Sequence, residues 1–253
     1  MNVLVDAKHG RMLVNENDIY IGRSIRELGE FSEGEIELFK QLLKPGCVAV
    51  EAGANIGTHT LPLARIVGPR GRIHAFEPQR IVHQTLCANV ALNSLTNVSA
   101  YWSGVSNEPG SLFVPPIDYS AEQNFGGINL QNFTEGERVP LVTVDSLNLN
   151  RLELLKADVE GMELAVLQGA NSTIQRCKPA MYLECDRADR AGELILHIFN
   201  LGYDAYWHRP PMYNANNFFN NPNNPFGPVI SINVLALHRD KRIVVQGLQK
   251  VEL

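Results

Sequence analysis

The sequence has little that would tie the protein to nucleic acid, to structural zinc or to a membrane. Its 22 basic residues are outnumbered by 27 acidic ones, whereas proteins that grip phosphate backbones carry a basic surface. The four cysteines have neither C-x-x-C spacing nor a nearby histidine pair, which indicates reduced thiols. No window approaches ~20 apolar residues, and the first residues lack the basic and apolar regions of a secretion signal. We therefore expect a cytoplasmic protein that binds neither nucleic acid nor membranes.

Strand and helix patterns alternate along most of the 253 residues. A strand that is apolar on both faces, at 47–50, leads into a glycine turn and a helix, and two further strands follow before residue 102. The alternation resumes near residue 152, after a stretch rich in Gly, Ser, Pro and Asn. This rhythm predicts an α/β fold with a parallel, doubly wound sheet.

The remaining segments predict additions to that core. Two strand-like runs, Val3–Val5 and Asp18–Ile21, predict an N-terminal hairpin, and helical spacing follows Ser32. We expect a single domain over 1–253, with a cap over 1–45. The core would span 46–240, with insertions at about 104–140 and 209–228.

The strongest local signal is the segment Glu51–Gly57, which directly follows the first buried strand and opens a helix. Glycines four residues apart allow a tight turn and close approach of a ligand to the backbone, next to the free N–H groups of the helix. The segment matches neither the P-loop nor the G-x-G-x-x-G fingerprint, which argues against ATP and NAD. A turn with a purely structural role remains an alternative.

Glu77 ends the second strand, 24 residues after Gly53. In doubly wound folds an acidic side chain at this place accepts hydrogen bonds from the ribose hydroxyls of an adenosine ligand. The alternative is a solvated glutamate that precedes a turn-forming proline. With the glycine turn beside it, Glu77 favours the adenosine site.

Four segments together resemble the FkbM-type methyltransferases, a family of S-adenosylmethionine-dependent enzymes. They are Glu51–Gly57, Ala75–Pro78, Thr143–Leu147 and Lys156–Glu163, the last followed by Val166–Ala170. The resemblance covers about residues 15–240. It implies a Rossmann-like, seven-stranded sheet, mostly parallel with an antiparallel last strand, and methylation of a hydroxyl on a sugar or natural product. The chain departs from the family pattern at Glu51, Ala157 and Met162.

The resemblance also implies roles for individual residues. The methionine part of S-adenosylmethionine would lie against the glycine turn, with Glu51 beneath it, and Ser106 would lie near the adenine. Asp158, at the end of the fourth strand, would face the transferred methyl group. The cofactor-binding residues are thus predicted to be Glu51, Gly53, Ala54, Asn55, Gly57, Glu77 and Ser106.

Three carboxylates are the candidate catalytic residues. Methyl transfer to a hydroxyl needs a nearby base, for which Asp158 is the first choice. Glu160 and Glu184 lie where they could converge with it at the same edge of the sheet. Together they could also bind Mg²⁺, although we do not expect a metal, and the first two could simply cap the following helix.

The Asn-rich segment 214–224 and three histidines give weaker hypotheses. Asn216, Asn217 and Phe218 would suit a neutral, hydroxyl-bearing substrate, because amides hydrogen-bond to hydroxyls and aromatic rings stack on sugars. An ordinary surface loop is an equal alternative. His59 and His83 are expected to be surface or packed residues, and His208 is a minor candidate for the base.

The prediction is therefore an enzyme that transfers a methyl group from S-adenosylmethionine to a small molecule or glycan and releases S-adenosylhomocysteine. Three alternatives stay open: a catalytically silent S-adenosylmethionine-binding module, an NAD-dependent oxidoreductase, and a protein or peptide methyltransferase. The sequence does not indicate the acceptor or the oligomeric state.

Overall fold

A computed structural model describes residues 1–131, 133–241, 243 and 246–252 of the chain. In chain order, the strands are β1 (Asn2–Ala7), β2 (Gly10–Asn15), β3 (Val48–Ala52), β4 (Arg72–Phe76), β5 (Val98–Tyr101), β6 (Gly104–Val105), β7 (Gly110–Val114), β8 (Glu137–Val142), β9 (Leu154–Ala157), β10 (Ala180–Glu184), β11 (Tyr203–His208), β12 (Asn233–His238) and β13 (Gln249–Lys250). The α-helices are α1 (Ile21–Leu28), α2 (Glu33–Leu42), α3 (Thr60–Val67), α4 (Arg80–Leu92), α5 (Glu163–Gln168), α6 (Asn171–Cys177) and α7 (Ala188–Asn200).

The central sheet has the strand order β13-β11-β12-β10-β9-β3-β4-β5. The five strands from β10 to β5 pair in parallel, and β12 lies antiparallel between β10 and β11. The predicted α/β fold, with a mostly parallel sheet and an antiparallel last strand, is confirmed. The predicted number of strands, seven, is wrong by one. The additional strand, β13, has only two residues, both exposed, and so carries no hydrophobic pattern.

Helices cover both faces of the central sheet. Neighbouring residues of one strand pack into different clusters: Leu154 packs in the cluster that contains Phe39 of α2, and Leu155 in the one that contains Leu194 of α7. A register shift by one residue would exchange the two faces, and burial of each such side chain contributes about 1.5–3 kcal/mol. The packing therefore fixes the register that brings the strand ends together.

The N-terminal hairpin differs from the predicted one. It pairs β1 with β2 through a turn at Lys8 and His9, and Asp18 only forms an isolated bridge to Gln123. The Asp18 side chain accepts a hydrogen bond from the backbone N–H of Tyr20, 2.9 Å away, which favours a turn before α1 over a second strand. The second predicted strand was therefore wrong.

Both predicted insertions lie near the edge of the sheet where the parallel strands end. Residues 104–142 include a small sheet of order β6-β8-β7. The Asn-rich loop docks on α1, where Phe219 N–H donates to the Leu28 carbonyl and Asn221 Nδ2 donates to the Glu27 carbonyl. None of the helices described here combines the length and apolar character needed to cross a bilayer.

Candidate active site

A cavity of about 370 Å³ lies at the carboxyl ends of β3, β4, β9 and β10, beside the first residue of β12. This is the edge at which open α/β sheets bind ligands, because the loops after the parallel strands diverge there. Residues 20–35 and 212–233 pack against each other and form part of the outer wall, to which residues 124–130 also contribute.

The glycine turn after β3 forms one wall of the cavity. Gly53 has φ 80°, and a Cβ at this residue would lie only 1.8 Å from the Asp158 carbonyl oxygen, so only glycine fits. The backbone N–H groups of Gly53 and Ala54 both donate to the Phe76 carbonyl. Gly53, Ala54 and Asn55 line the cavity, whereas Gly57 closes the turn behind them.

Glu77 lies in the cavity wall at the end of β4 and is 4% exposed. Its Oε2 accepts a hydrogen bond from Asn55 N–H at 3.0 Å, and its Oε1 accepts one from Gln79 N–H at 2.8 Å. Burial raises the pKa of Glu77 to about 7, although these two N–H groups lower it. Each carboxylate oxygen keeps a free lone pair, so Glu77 can also accept hydrogen bonds from two hydroxyl groups.

Beneath the glycine turn lies a buried ionic group. Glu51 Oε2 accepts a hydrogen bond from Thr60 Oγ1 at 2.6 Å, and its Oε1 lies 3.9 Å from Lys156 Nζ. Lys156 Nζ also lies 3.4 Å from Asp158 Oδ2. Burial opposes the charge of Lys156, but Asp158, Glu51 and Glu35 together raise its pKa. Lys156 thus holds Asp158 at the cavity while Glu51 stays below it.

The three predicted catalytic carboxylates come together in the cavity wall. One oxygen each of Asp158, Glu160 and Glu184 lies within 4.8 Å of the others. Burial and repulsion from Asp158 raise the pKa of Glu160 to about 7, and Arg187 partly opposes this shift. Burial, with repulsion from Asp158 and Glu160, raises the pKa of Glu184 well above its usual range.

Two physical states are compatible with such crowding. One oxygen from each carboxylate could reach a common divalent cation. Alternatively, Glu184 keeps its proton and shares it with a neighbour, as closely spaced carboxyl groups do. Glu160 has a positive φ of 55°, a strained conformation for a non-glycine residue, which is common at functional sites.

Six of the predicted site residues are not among those that line this cavity, and two of them, Glu51 and Gly57, lie beneath and behind the glycine turn. Ser106 is buried and donates its backbone N–H to the Val142 carbonyl, while neighbouring Gly104 and Val105 line the cavity instead. In the Asn-rich loop, Asn217 Nδ2 donates to the carbonyls of Asn214 and Asn221. The other two are Asn216 and Phe218, which are largely exposed.

Sequence reasoning missed several residues that line the cavity. They are Glu35, Gln79, Lys156, Asp186 and Asn233, and it expected His59 to be an ordinary surface or packed residue. The motif that contains Lys156 was recognised, but Lys156 itself was given no role. The available signal was the position of Lys156. It lies two residues before Asp158, so the two side chains leave the chain on the same face of the sheet.

The fold is the Rossmann-like architecture of class I methyltransferases. Precorrin-6y C5,15-methyltransferase from Geobacter metallireducens shares the fold, with a TM-score of 0.50 and 13% identity over 81% of this chain and 85% of its own. The family model described as Methyltransferase FkbM domain matches residues 51–205. The chain therefore belongs to the FkbM methyltransferase family, as the motifs predicted.

Two fungal relatives agree with this assignment. Methyltransferase sdnD of Sordaria araneosa is 32% identical over 48% of this chain and 60% of its own length. Methyltransferase 1 of Beauveria bassiana is 32% identical over 47% of this chain and 57% of its own. The chain thus spans less than two thirds of the curated relatives it matches.

Proposed function

We propose that the protein transfers a methyl group from S-adenosylmethionine to a hydroxyl on a small molecule, sugar or natural product. The observation that carries this proposal is the single cavity that joins the glycine turn, Glu77 and Asp158. In this arrangement a ligand held by the turn and Glu77 would be close to the carboxylates at the ends of β9 and β10. Membership of the FkbM family supports methyl transfer as the reaction.

The residues present fit the cofactor. The glycine turn faces the cavity through Gly53, Ala54 and Asn55, and the two oxygens of Glu77 can accept hydrogen bonds from both ribose hydroxyls. The cavity volume lies within the usual range for small-molecule sites, about 300–1,000 Å³. Ser106 was predicted to contact the adenine, but its neighbours Gly104 and Val105 line the cavity instead. We propose that these two residues contact the adenine.

When bound, the cofactor supplies a sulfonium methyl group for displacement, in which sulfur keeps the electrons of the broken bond and the acceptor oxygen gives up its proton. We assign receipt of that proton to Asp158, whose side chain is 43% exposed. Lys156 fixes Oδ2, which leaves Oδ1 for the acceptor hydroxyl. Holding the oxygen about 3 Å from the methyl carbon is then the main task of the cavity walls.

Calorimetric titration with S-adenosylhomocysteine tests the cofactor assignment. We expect micromolar binding, loss of binding in Glu77→Ala, and no signal with NAD. Glu37→Ala, which changes an exposed glutamate of α2, is the matched control and should bind like the wild type. Binding of NAD instead would favour the oxidoreductase alternative, and binding that Glu77→Ala retains would contradict the site.

A second experiment separates an enzyme from a silent binding module. Wild-type protein and Asp158→Asn are compared in a methyl-transfer assay against hydroxyl-bearing small molecules, glycans and peptides, with labelled S-adenosylmethionine. Turnover that Asp158→Asn loses while it still binds S-adenosylhomocysteine supports the proposal. A peptide as the preferred acceptor would favour the protein methyltransferase alternative.

A further inference from the structure

The cavity is lined by more carboxyl groups than the proposed cofactor can pair with. Six acidic side chains line it: Glu35, Glu77, Asp158, Glu160, Glu184 and Asp186. Among the described residues that line it, Lys156 is the only lysine or arginine. Arg187, which is not among the residues that line the cavity, forms an ion pair with Glu160. Bound S-adenosylmethionine would add a single net positive charge, so several carboxyl groups remain without a counter-charge.

The excess is concentrated at one end, which we call the acidic pole and define as Glu160, Glu184 and Asp186. Within the described part of the chain, neither Glu184 nor Asp186 has a lysine or arginine nitrogen within 4.0 Å. Oε2 of Glu184 is buried and has no hydrogen-bond partner. A carboxyl group with a buried oxygen is retained when it is protonated, paired or bound to a cation, so Glu184 favours a bound cation, and the exposed Asp186 adds negative charge beside it.

A second, independent feature of the same cavity also lacks a partner. His59 is 4% exposed and lines the cavity, and its Nε2 has no hydrogen-bond partner although it lies 3.5 Å from Glu35 Oε2. Ser32 and Asn233 hold the other oxygen of Glu35. A buried polar atom without a partner costs about 1–3 kcal/mol, so these groups favour a bound ligand with polar atoms.

Apolar side chains also line the cavity. They include Tyr20, Phe31, Ile128, Leu130, Met212 and Ile230. Ile230 is 46% exposed at the rim, where an apolar ligand would cover it. Aromatic and aliphatic walls with a few polar groups at one end are typical of sites for amphipathic small molecules.

Resting on the proposed function, we infer that the acceptor is an amphipathic amine: its apolar body lies against Phe31, Met212 and Ile230, and its protonated amine lies in the acidic pole. A protonated amine has no lone pair to attack a methyl group, so it anchors the molecule. The methylated atom is then the hydroxyl oxygen beside Asp158. Acceptors that carry a phosphate or carboxylate would be repelled by the same carboxylates.

Three small probes of one shape test this inference. Tyramine, tyrosol and 4-hydroxyphenylacetate share a phenol ring with a short side chain that ends in a cation, a neutral hydroxyl or an anion. Each is titrated into protein saturated with S-adenosylhomocysteine, which lacks the sulfonium charge. We expect tyramine to bind about tenfold or more tighter than 4-hydroxyphenylacetate, with tyrosol between them.

Variants assign that preference to the acidic pole. The double variant Glu184→Gln with Asp186→Asn should reduce the preference for tyramine about tenfold and leave the affinity for S-adenosylhomocysteine unchanged. Glu37→Gln, on the exposed face of α2, should keep the wild-type preference. A preference that survives in the double variant overturns the assignment.

The remaining outcomes are equally decisive. If 4-hydroxyphenylacetate binds as tightly as tyramine, or if none of the three binds to the loaded protein, the inference is wrong. A separate titration with MgCl2 distinguishes the cations: Mg²⁺ that binds on its own and abolishes tyramine binding would identify a metal site instead. Failure of S-adenosylhomocysteine to bind would instead overturn the proposed function.

Discussion

Glu51 and Lys156 are paired in register on the adjacent strands β3 and β9, with their side chains almost fully buried and Oε1 3.9 Å from Nζ. Lys156 also reaches Asp158, two residues on along β9. The pair thus connects the turn after β3 to the carboxylate that we assign to the acceptor. Removing the buried cation leaves at least one buried carboxylate without a partner.

We therefore predict that Lys156→Met lowers the free energy of unfolding by about 3–5 kcal/mol, the usual cost of breaking a buried ion pair. Denaturant unfolding measures this loss. Lys40→Met, which breaks the exposed pair with Glu37, is the control and should cost less than about 1 kcal/mol. Equal losses in the two variants would mean that Lys156 has no special role.

Cofactor binding should depend on pH through Glu77. Its raised pKa of about 7 means that the carboxylate becomes the main form only above neutral pH. Because the ionised form accepts hydrogen bonds from both ribose hydroxyls, the affinity for S-adenosylhomocysteine should fall as pH decreases from about 8 to about 6. Calorimetry should show that Glu77→Gln binds S-adenosylhomocysteine more weakly and that its affinity changes less with pH. An unchanged pH dependence of the affinity would mean that another group titrates.

Asp158→Asn should lower kcat about 10²–10⁴-fold once an acceptor has been found, because the amide cannot take up the proton. The affinity for S-adenosylhomocysteine should stay within about threefold of the wild type, since Glu77 and the glycine turn are unchanged. Steady-state kinetics and calorimetry on the same preparations measure both quantities. A variant with unaltered kcat would remove Asp158 from the catalytic assignment.

Methyl transfer should survive removal of divalent cations. In the absence of a metal, the crowding of Asp158, Glu160 and Glu184 is relieved by retained protons or by the protonated amine that we infer to bind there. Activity after dialysis against EDTA, measured with and without added MgCl2, should therefore agree within about twofold. Loss of activity that Mg²⁺ restores would show that these carboxylates bind a metal.

Glu30 joins the two ends of the chain beside the cavity. This carboxylate, 3% exposed, contacts Lys8 of the hairpin and accepts hydrogen bonds from Asn214 Nδ2 and Phe218 N–H of the Asn-rich loop. Glu30→Ala should destabilise the loop by about 2–3 kcal/mol because these donors lose a charged acceptor. Hydrogen exchange should accelerate in residues 212–224, whereas Glu37→Ala should leave it unchanged.

The sequence was informative where a function depends on neighbours along the chain. The turn at Gly53 and the acidic residue Glu77 each directly follow a recognisable strand, and parallel strands bring their carboxyl ends to one edge. For the same reason, the convergence of Asp158, Glu160 and Glu184 was predicted without knowledge of any side-chain position.

The parts that were missed depend on packing between distant segments. Glu35 enters the cavity from α2, and its partner Asn233 is 198 residues away, so no local pattern links them. His59 was expected mainly to be a surface or packed residue and is indeed packed, but its place beside Glu35 follows from how α2 packs on α3. Amides of the Asn-rich loop bond to one another, as Asn217 does, or to α1 and Glu30, which composition alone does not indicate.

Part of the outer wall of the cavity comes from residues 20–35 and 212–233, outside the 51–205 region that matches the family model. During synthesis, the first of these segments leaves the ribosome long before the second. The residues that we assign to the cofactor, from Gly53 to Val105, are all made before the second segment. The acceptor pocket that we propose is complete only after residues 212–233 have been made, so a nascent chain that ends before residue 212 would carry the cofactor residues but lack this part of the acceptor wall.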